Sequence, residues 1–361
     1  MTINQQTRIL ITHPFPDELT QPLHTISPSF HITHIPVTDA DELADLASTS
    51  THVGDEHIPT TDTDELAEHW PQVEVLYTST VVPSLEQAPR LRWIQCHWAG
   101  VEQFLKHRIA ARVRITTVSG IAAVTIAEYV FGGLLALTHH MPRLLHHQDR
   151  KQWPSGRWDK FVPAELRGAT IGIIGYGSLG REVARLARAF GMRTLALKRN
   201  PERRADDGWN LKTTGDPDGS QANHIYGPEA LHTMLSLCDH VVVTVPLTPN
   251  TLHLIGTTEF EAMKIGTIFV NVARGKIVDE TALIAALQSG HLGGAVLDVF
   301  ENEPLDSNSP LWQLKNVIIS PHVSGITARY DELALRVFAD NLRRYTAGQP
   351  LLNQVNIQQG Y

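Results

Sequence analysis

Thr170-Ile-Gly-Ile-Ile-Gly175-Tyr-Gly177-Ser-Leu-Gly180-Arg-Glu-Val-Ala-Arg-Leu-Ala-Arg-Ala-Phe190 decides the fold of this 361-residue chain. Its first five residues form an apolar run that reads as a buried strand. Leu179 to Phe190 carries helical spacing, and Thr194 to Leu197 reads as a second strand. A G-x-G-x-x-G triplet is weak by itself and becomes informative between a strand and a helix. Here Gly175 permits the tight turn and Gly177 lets the backbone approach a pyrophosphate. Gly180 lets helix and strand pack closely. The amides around Ser178 and Leu179, at the helix N-terminus, attract the anion. The stretch therefore predicts a dinucleotide-binding unit.

The end of the second strand selects the dinucleotide. An NAD site usually offers an acid there to the ribose 2′-hydroxyl, whereas a basic residue accommodates the 2′-phosphate of NADP. This strand ends on Lys198-Arg199-Asn200, with no Asp or Glu at its tip. Two cations attract a phosphate that a carboxylate would repel. The reading favours NADP over NAD.

Working outward, the length suits two domains rather than one core. An apolar fraction of 42% with 19% charged residues is globular in character. With 30 Lys and Arg against 38 Asp and Glu, the net charge of −8 argues against nucleic acid or an anionic membrane as partner. Cys96 and Cys238 make neither a disulfide framework nor a zinc pattern and read as reduced core thiols; no metal site is expected. Met1 to Arg8 is polar and lacks a signal core. Val124 to Leu137, broken by Glu128, is too short to span a bilayer. These features predict a cytoplasmic protein.

Before the glycine turn, Arg8–Thr12, Phe30–Val37, Val73–Thr78, Leu91–Cys96 and Ile115–Val118 read as buried strands. Asp39–Leu46 and Val101–Ala111 carry helical spacing between them. Such alternation implies a parallel sheet with helices on both faces. Ala122–His147 reads as one long buried helix in which Gly132-Gly133 permits close backbone approach. After the turn, Val241–Val245, Ile268–Val272, Ala295–Asp298 and Val317–Ile319 read as further strands. Helices fall at Glu229–Leu237, at Thr281–Gln288 with Asp279 as N-cap, and at Ala328–Tyr345. The polar, glycine-bearing segment 203–223 reads as a surface loop between the second strand and its helix.

Three later segments add chemistry: Val272-Ala273-Arg274-Gly275, Leu297-Asp298-Val-Phe-Glu-Asn-Glu303-Pro304-Leu305 and Ser320-Pro321-His322-Val-Ser324-Gly325. Each places a charged or titratable group just past a strand, at the edge where open α/β sheets bind ligands. With Pro246-Leu-Thr-Pro-Asn-Thr251, Gly294-Ala-Val-Leu-Asp-Val-Phe300 and Asn316-Val-Ile-Ile-Ser-Pro-His322, the chain closely resembles the D-isomer-specific 2-hydroxyacid dehydrogenases. The resemblance runs from about Leu91 to Tyr345 and is strongest from Gly168 to Gly325.

The resemblance implies a catalytic set of Arg274, Glu303 and His322. Hydride can reach a 2-keto carbon only if the carbonyl is polarised and the growing alkoxide receives a proton. An imidazole is suited to give that proton. A neighbouring carboxylate would favour imidazolium and hold the ring in one orientation. The planar fork of Arg274 can bind keto oxygen and substrate carboxylate together. The resemblance further implies that Asp298 binds the nicotinamide carboxamide and that Ala273 lies beside the cofactor. It sets Pro246 and Thr251 on the adenosine side, and gives the substrate carboxylate to the amides of Ala99 and Gly100.

The expected architecture is two doubly wound parallel-sheet α/β domains. A flavodoxin-like substrate domain, 1–118 with 321–361, would carry an inserted Rossmann dinucleotide-binding domain, 119–320, with the active site in the cleft between them. The family also suggests a homodimer built on the long helix after Gly120. The expected reaction is reduction of a small 2-keto acid such as glyoxylate or hydroxypyruvate. Two rivals share the fold: NAD(H)-sensing corepressor-like proteins, and formate- or phosphite-oxidising relatives. Glu303 argues against a formate-type site, which typically has Gln at that position.

Overall fold

The computed structural model describes residues 6–37 and 64–360. The chain divides into two compact units, Met1–Ile121 with Thr327–Tyr361, and Ala122–Ile326. His322 accordingly lies in the second unit, whereas a boundary at 320/321 would put it with the returning segment. The expected helix at Asp39–Leu46 and the residues Met1–Gln5 lie outside the described residues.

The first unit is built on a parallel sheet of β1 (Thr7–Ile11), β2 (Phe30–His34), β3 (Val75–Thr78), β4 (Trp93–Cys96) and β5 (Arg114–Thr116), in the order β2-β1-β3-β4-β5. That is the flavodoxin-like order, with its switch point between β1 and β3. Side chains alternate between the two faces, as strand geometry requires. Ile9, Ile11, Val75, Tyr77 and Trp93 pack with Leu335, Phe338 and Leu342 of the helix Tyr330–Thr346. Leu10, Leu76, Ile94 and Ile115 pack on the opposite side with Phe104, Ile109 and Trp70. The helical spacing in Val101–Ala111 resolves into two short 3₁₀ turns, Phe104–Lys106 and Arg108–Ala111.

The second unit holds seven parallel strands: β6 (Thr170–Ile174), β7 (Arg193–Leu197), β8 (His224–Tyr226), β9 (His240–Val243), β10 (Thr267–Asn271), β11 (Leu292–Leu297) and β12 (Val317–Ile319). Their order, β12-β11-β10-β9-β6-β7-β8, is the Rossmann arrangement, with the glycine turn after β6 at the switch point beside β9. On one face lie the helices Ala123–Thr138 and Ser178–Ala189. Gly133 is what lets the first of these approach the sheet, since a Cβ there would stand 2.6 Å from a methyl of Val296 in β11.

Three expectations need correction here. The long helix is two, Ala123–Thr138 and Met141–Asp149, because His140 adopts a left-handed φ of 57° and Pro142 cannot supply the amide that a continuous helix needs. A seventh strand, β8, follows the 203–223 segment and pairs with β7. That segment is no free surface loop: several of its residues are buried and tied to the first turns of the helix Ser178–Ala189. Asp279 does cap its helix, accepting from the Ala282 amide at 3.0 Å. No helix among the described residues is long and apolar enough to cross a membrane. Both cysteines are free and buried, and burial pushes the Cys238 thiol up to about 12.

Candidate active site

The glycine turn has the shape its sequence requires. Gly175 sits at φ +105°, and a Cβ on it would come within 2.9 Å of Thr244. A Cβ on Gly180 would lie 2.1 Å from the Gly175 carbonyl oxygen, so helix and strand could not pack as they do. Gly177, by contrast, has no atom within 4 Å of that position, and its open side is the approach a ligand needs. No side chain caps the helix that begins at Ser178, which leaves its first amides for an anion. The residues present therefore fit the pyrophosphate of a dinucleotide.

The three strand-end segments come together on adjacent strands. Arg274, half-buried, lies on the turn after β10, with Glu303 after β11 and His322 after β12. The Asn271 side chain shapes the first turn, accepting from the Ala273 amide and donating to the Arg274 carbonyl, each at 3.1 Å. Gly275 packs so tightly on the next segment that a Cβ would fall 1.8 Å from the backbone of Phe300. Glu303 is 7% exposed and both its oxygens are engaged. Oε1 accepts from the Phe300 amide at 2.9 Å, and Oε2 meets Nδ1 of His322 at 2.8 Å. The His322 ring keeps Nε2 as its second nitrogen, on a side chain that is 25% exposed.

The Asp298 carboxylate is engaged by its own neighbourhood. Its carboxylate is 1% exposed and accepts from four donors of the 320–324 loop. Oδ1 takes the Ser320 hydroxyl at 2.6 Å and the Val323 amide at 2.9 Å. Oδ2 takes the Ser324 amide at 3.0 Å and its hydroxyl at 2.5 Å. A carboxylate has about four lone-pair sites, and all are filled from within the protein. The carbonyl of Asp298 also accepts from the His322 amide at 2.9 Å. Asp298 thus carries the loop that presents His322, at a φ of 53°. Ser320 is joined also to the Tyr129 hydroxyl at 2.5 Å; the motif contains Ser320 and Ser324, but a serine in a loop carries no sequence signal for this supporting role.

The remaining residues are placed as follows. Thr251 closes its own loop, its hydroxyl donating to the Pro246 carbonyl at 2.7 Å and accepting from the Thr248 amide at 2.8 Å. Lys198 and Arg199 follow β7, and the Lys198 ammonium donates to the Arg203 carbonyl. In the first unit, exposed Ala99 and half-buried Gly100 follow β4. Beside them, at the carboxyl edge of that sheet, the rings of His13 and His97 stack at 3.6 Å and face Asp331 at 3.7 and 3.6 Å. Nδ1 of His97 meets the Tyr77 hydroxyl at 2.9 Å. The two rings lie within 18° of parallel. Burial holds the His97 imidazole well below its ordinary value.

A glycine turn at the switch point of a Rossmann sheet, with a carboxylate–imidazole pair at the same edge, defines an NAD(P)-dependent oxidoreductase. Residues 131–324 match the family model for the NAD-binding domain of D-isomer specific 2-hydroxyacid dehydrogenases. The chain belongs to this family. It is 36% identical to the (S)-sulfolactate dehydrogenase of Chromohalobacter salexigens over 239 residues, 64% of this chain and 70% of that protein. It is 35% identical to the glyoxylate reductase of Thermococcus gammatolerans over 274 residues, 73% of this chain and 76% of that one. Among solved structures it is similar to a D-isomer specific 2-hydroxyacid dehydrogenase from Xanthobacter autotrophicus Py2, determined with NADPH and MES. That match has a TM-score of 0.74 at 26% identity and covers 99% of this chain and 100% of that one. The chain is accordingly an NAD(P)-dependent enzyme that transfers a hydride between nicotinamide and a small 2-hydroxy or 2-keto acid.

Proposed function

We propose that this protein reduces a small 2-keto acid with NADPH in preference to NADH, and that Arg274, Glu303 and His322 are its catalytic residues. The observation that carries the proposal is the 2.8 Å contact between His322 Nδ1 and a Glu303 carboxylate that a backbone amide already fixes. It commits one ring nitrogen to orientation and leaves Nε2 for the substrate. The bound nicotinamide supplies the hydride to the keto carbon. His322 gives its Nε2 proton to the oxygen as the carbonyl becomes a hydroxyl, and takes it back in the reverse direction. Arg274 holds the substrate carboxylate and polarises the keto oxygen with one planar fork. The glycine turn binds the pyrophosphate, and the loop at Pro246–Thr251 lies on the adenosine side.

The preference for NADPH rests on the cations at the end of β7 and on the acids of the following segment being engaged elsewhere. Asp206 accepts from Gly208 and Asn210, and Asp207 pairs with Arg203. The related Xanthobacter structure contains NADPH. Glyoxylate and hydroxypyruvate are the first substrates to try, given the activities for which relatives are named. A homodimer is favoured by the apolar side chains left open around the second helix, among them Trp153 at 84% exposure, Trp158 at 78% and Leu145 at 56%. Two free thiols suit a reducing cytoplasm.

Steady-state assays of purified protein on a panel of 2-keto acids, each with NADPH and NADH, test the reading. Turnover of glyoxylate or hydroxypyruvate with higher kcat/KM for NADPH is expected. Tight cofactor binding with no turnover on any 2-keto acid would overturn the catalytic assignment. A preference for NADH would overturn the cofactor assignment alone. Light scattering tests the dimer.

A further inference from the structure

The segment between β7 and β8 is held in place by side chains that the reaction does not use. Arg181, one residue past the last glycine of the turn, is 1% exposed. Its guanidinium donates to the carbonyls of Arg204, at 2.5 Å, and of Asp216, so one planar fork spans both arms of the segment. Its Nε faces the Asp206 carboxylate at 3.7 Å. Its neighbour Glu182, fully buried, accepts from the Gly215 amide at 2.6 Å. Asp216, 2% exposed, accepts from the Tyr176 hydroxyl at 2.5 Å. Tyr176 is the residue between the first two glycines of the turn, and Arg181 lies over its ring at 4.8 Å.

The same network reaches the tip of β7, where the adenosine ribose of a Rossmann cofactor sits. There the Lys198 ammonium donates to the Arg203 carbonyl. Burial first, and then the charge of Arg181, pull that ammonium below its ordinary value. The run Lys198-Arg-Asn-Pro-Glu-Arg-Arg204 carries four cations against one acid and is fixed at Arg203 and Arg204 by its backbone. A buried guanidinium that spends its two hydrogen bonds on backbone carbonyls, with its carboxylate partner only at 3.7 Å, is costly unless something is gained by the order it imposes.

We propose that residues 198–223 form a selecting element for the 2′-phosphate of the cofactor, and that Arg181 is its positioning residue. Arg181 touches no cofactor in this assignment. It locks the basic run against the glycine turn, so that the cations are already in place when the phosphate arrives. The proposal rests on the NADPH preference argued above and adds what creates it.

Dissociation constants for NADPH and NADH, measured by titration calorimetry on wild type and Arg181→Met, test it. The expected result is an NADPH constant raised about tenfold, equivalent to one charge-assisted hydrogen bond, with the NADH constant little changed. A merely structural role would weaken both cofactors alike, and that outcome overturns the proposal. So does a wild-type NADPH preference that Arg181→Met leaves intact, in which case the cofactor assignment stands and only the role of Arg181 falls. A wild type that prefers NADH removes the cofactor assignment and this proposal together. Should Arg181→Met fail to fold, Tyr176→Phe removes only the hydroxyl that ties Asp216 to the turn. It is expected to narrow the NADPH preference in the same direction, and an unchanged ratio overturns the proposal.

Discussion

His322 meets Glu303 through Nδ1 at 2.8 Å, and Glu303 is itself held by the Phe300 amide at 2.9 Å. The carboxylate is buried and the imidazole a quarter exposed, so the pair points from the protein interior outward. A proton donor for hydride chemistry needs one committed nitrogen and one available nitrogen, and this arrangement provides both.

Replacing His322 with Ala is expected to lower kcat by about 10²–10⁴-fold, the span usual for loss of a general acid. Cofactor affinity should barely change, because no residue of the glycine turn is touched. Glu303→Gln should lower kcat as well, since an amide cannot replace the carboxylate that orients the ring. Steady-state kinetics paired with NADPH titration separate the two quantities. Equal loss of kcat and of cofactor affinity in His322→Ala would make His322 a structural residue.

A substitution at Asp298 distinguishes support of the loop from contact with the cofactor. Asp298→Asn gives up acceptor capacity against four donors, Ser320, Val323 and two from Ser324. At least one buried N–H or O–H is then left unsatisfied, at about 1–3 kcal/mol. The expected outcome is a lower melting temperature and a lower kcat, with NADPH affinity changed least. A direct nicotinamide ligand would behave the other way, weakening NADPH while leaving the melting temperature alone.

How far the sequence carries the fold depends on burial. Thr170–Ile174 is read to the residue because a central parallel strand leaves a buried apolar run, and the edge strand Val317–Ile319 because all three of its residues are apolar and β-branched. His224-Ile-Tyr226 is missed, being an edge strand of three residues whose single fully apolar member gives no pattern. The break at His140 hides inside a run that is otherwise helical, although Pro142 is its visible trace. In the site, Arg274, Glu303 and His322 are legible because strand ends and motif order agree. Asp298 is legible as important, whereas the donors that fill its carboxylate are fixed by how a loop some 25 residues later folds back. Arg181 is the plainest loss. An arginine on an amphipathic helix reads as a solvated charge, and only the packed 198–223 segment makes it buried.

Gly275 couples the arginine turn to the loop of Glu303, and alanine there should break the coupling. The added Cβ would fall 1.8 Å from the carbonyl carbon and oxygen of Phe300, whose amide holds Glu303. Backbone cannot yield as a side-chain tip can, so Gly275→Ala should displace Glu303 and cost about 10²-fold in kcat. Overpacking should also cost about 1–3 kcal/mol of stability. Gly132→Ala is the control: its Cβ meets nothing within 4 Å, in mid-helix, and should stabilise by about 0.5–1 kcal/mol. Thermal melts and kcat for the two variants check both signs, and wild-type kcat in Gly275→Ala would show that the site tolerates movement of this loop.

Acid sensitivity of the second unit should centre on His240, which is 5% exposed in β9. Burial pushes its imidazole down from the ordinary value of 6.5 to about 4. Above 6.5 the ring is neutral folded or unfolded, and it contributes no pH dependence. Between 6.5 and about 4 the unfolded chain takes up a proton that the folded chain refuses, so stability falls as pH falls through that window. The full displacement corresponds to roughly 3 kcal/mol. In the first unit, buried His97 is displaced in the same direction and adds to the loss. His240→Gln, which cannot titrate, should flatten the fall in denaturant-measured stability between pH 6.5 and 4 while leaving the His97 share. Parallel stability curves for variant and wild type across that window would mean that the folded protein accommodates the His240 proton, contrary to its burial.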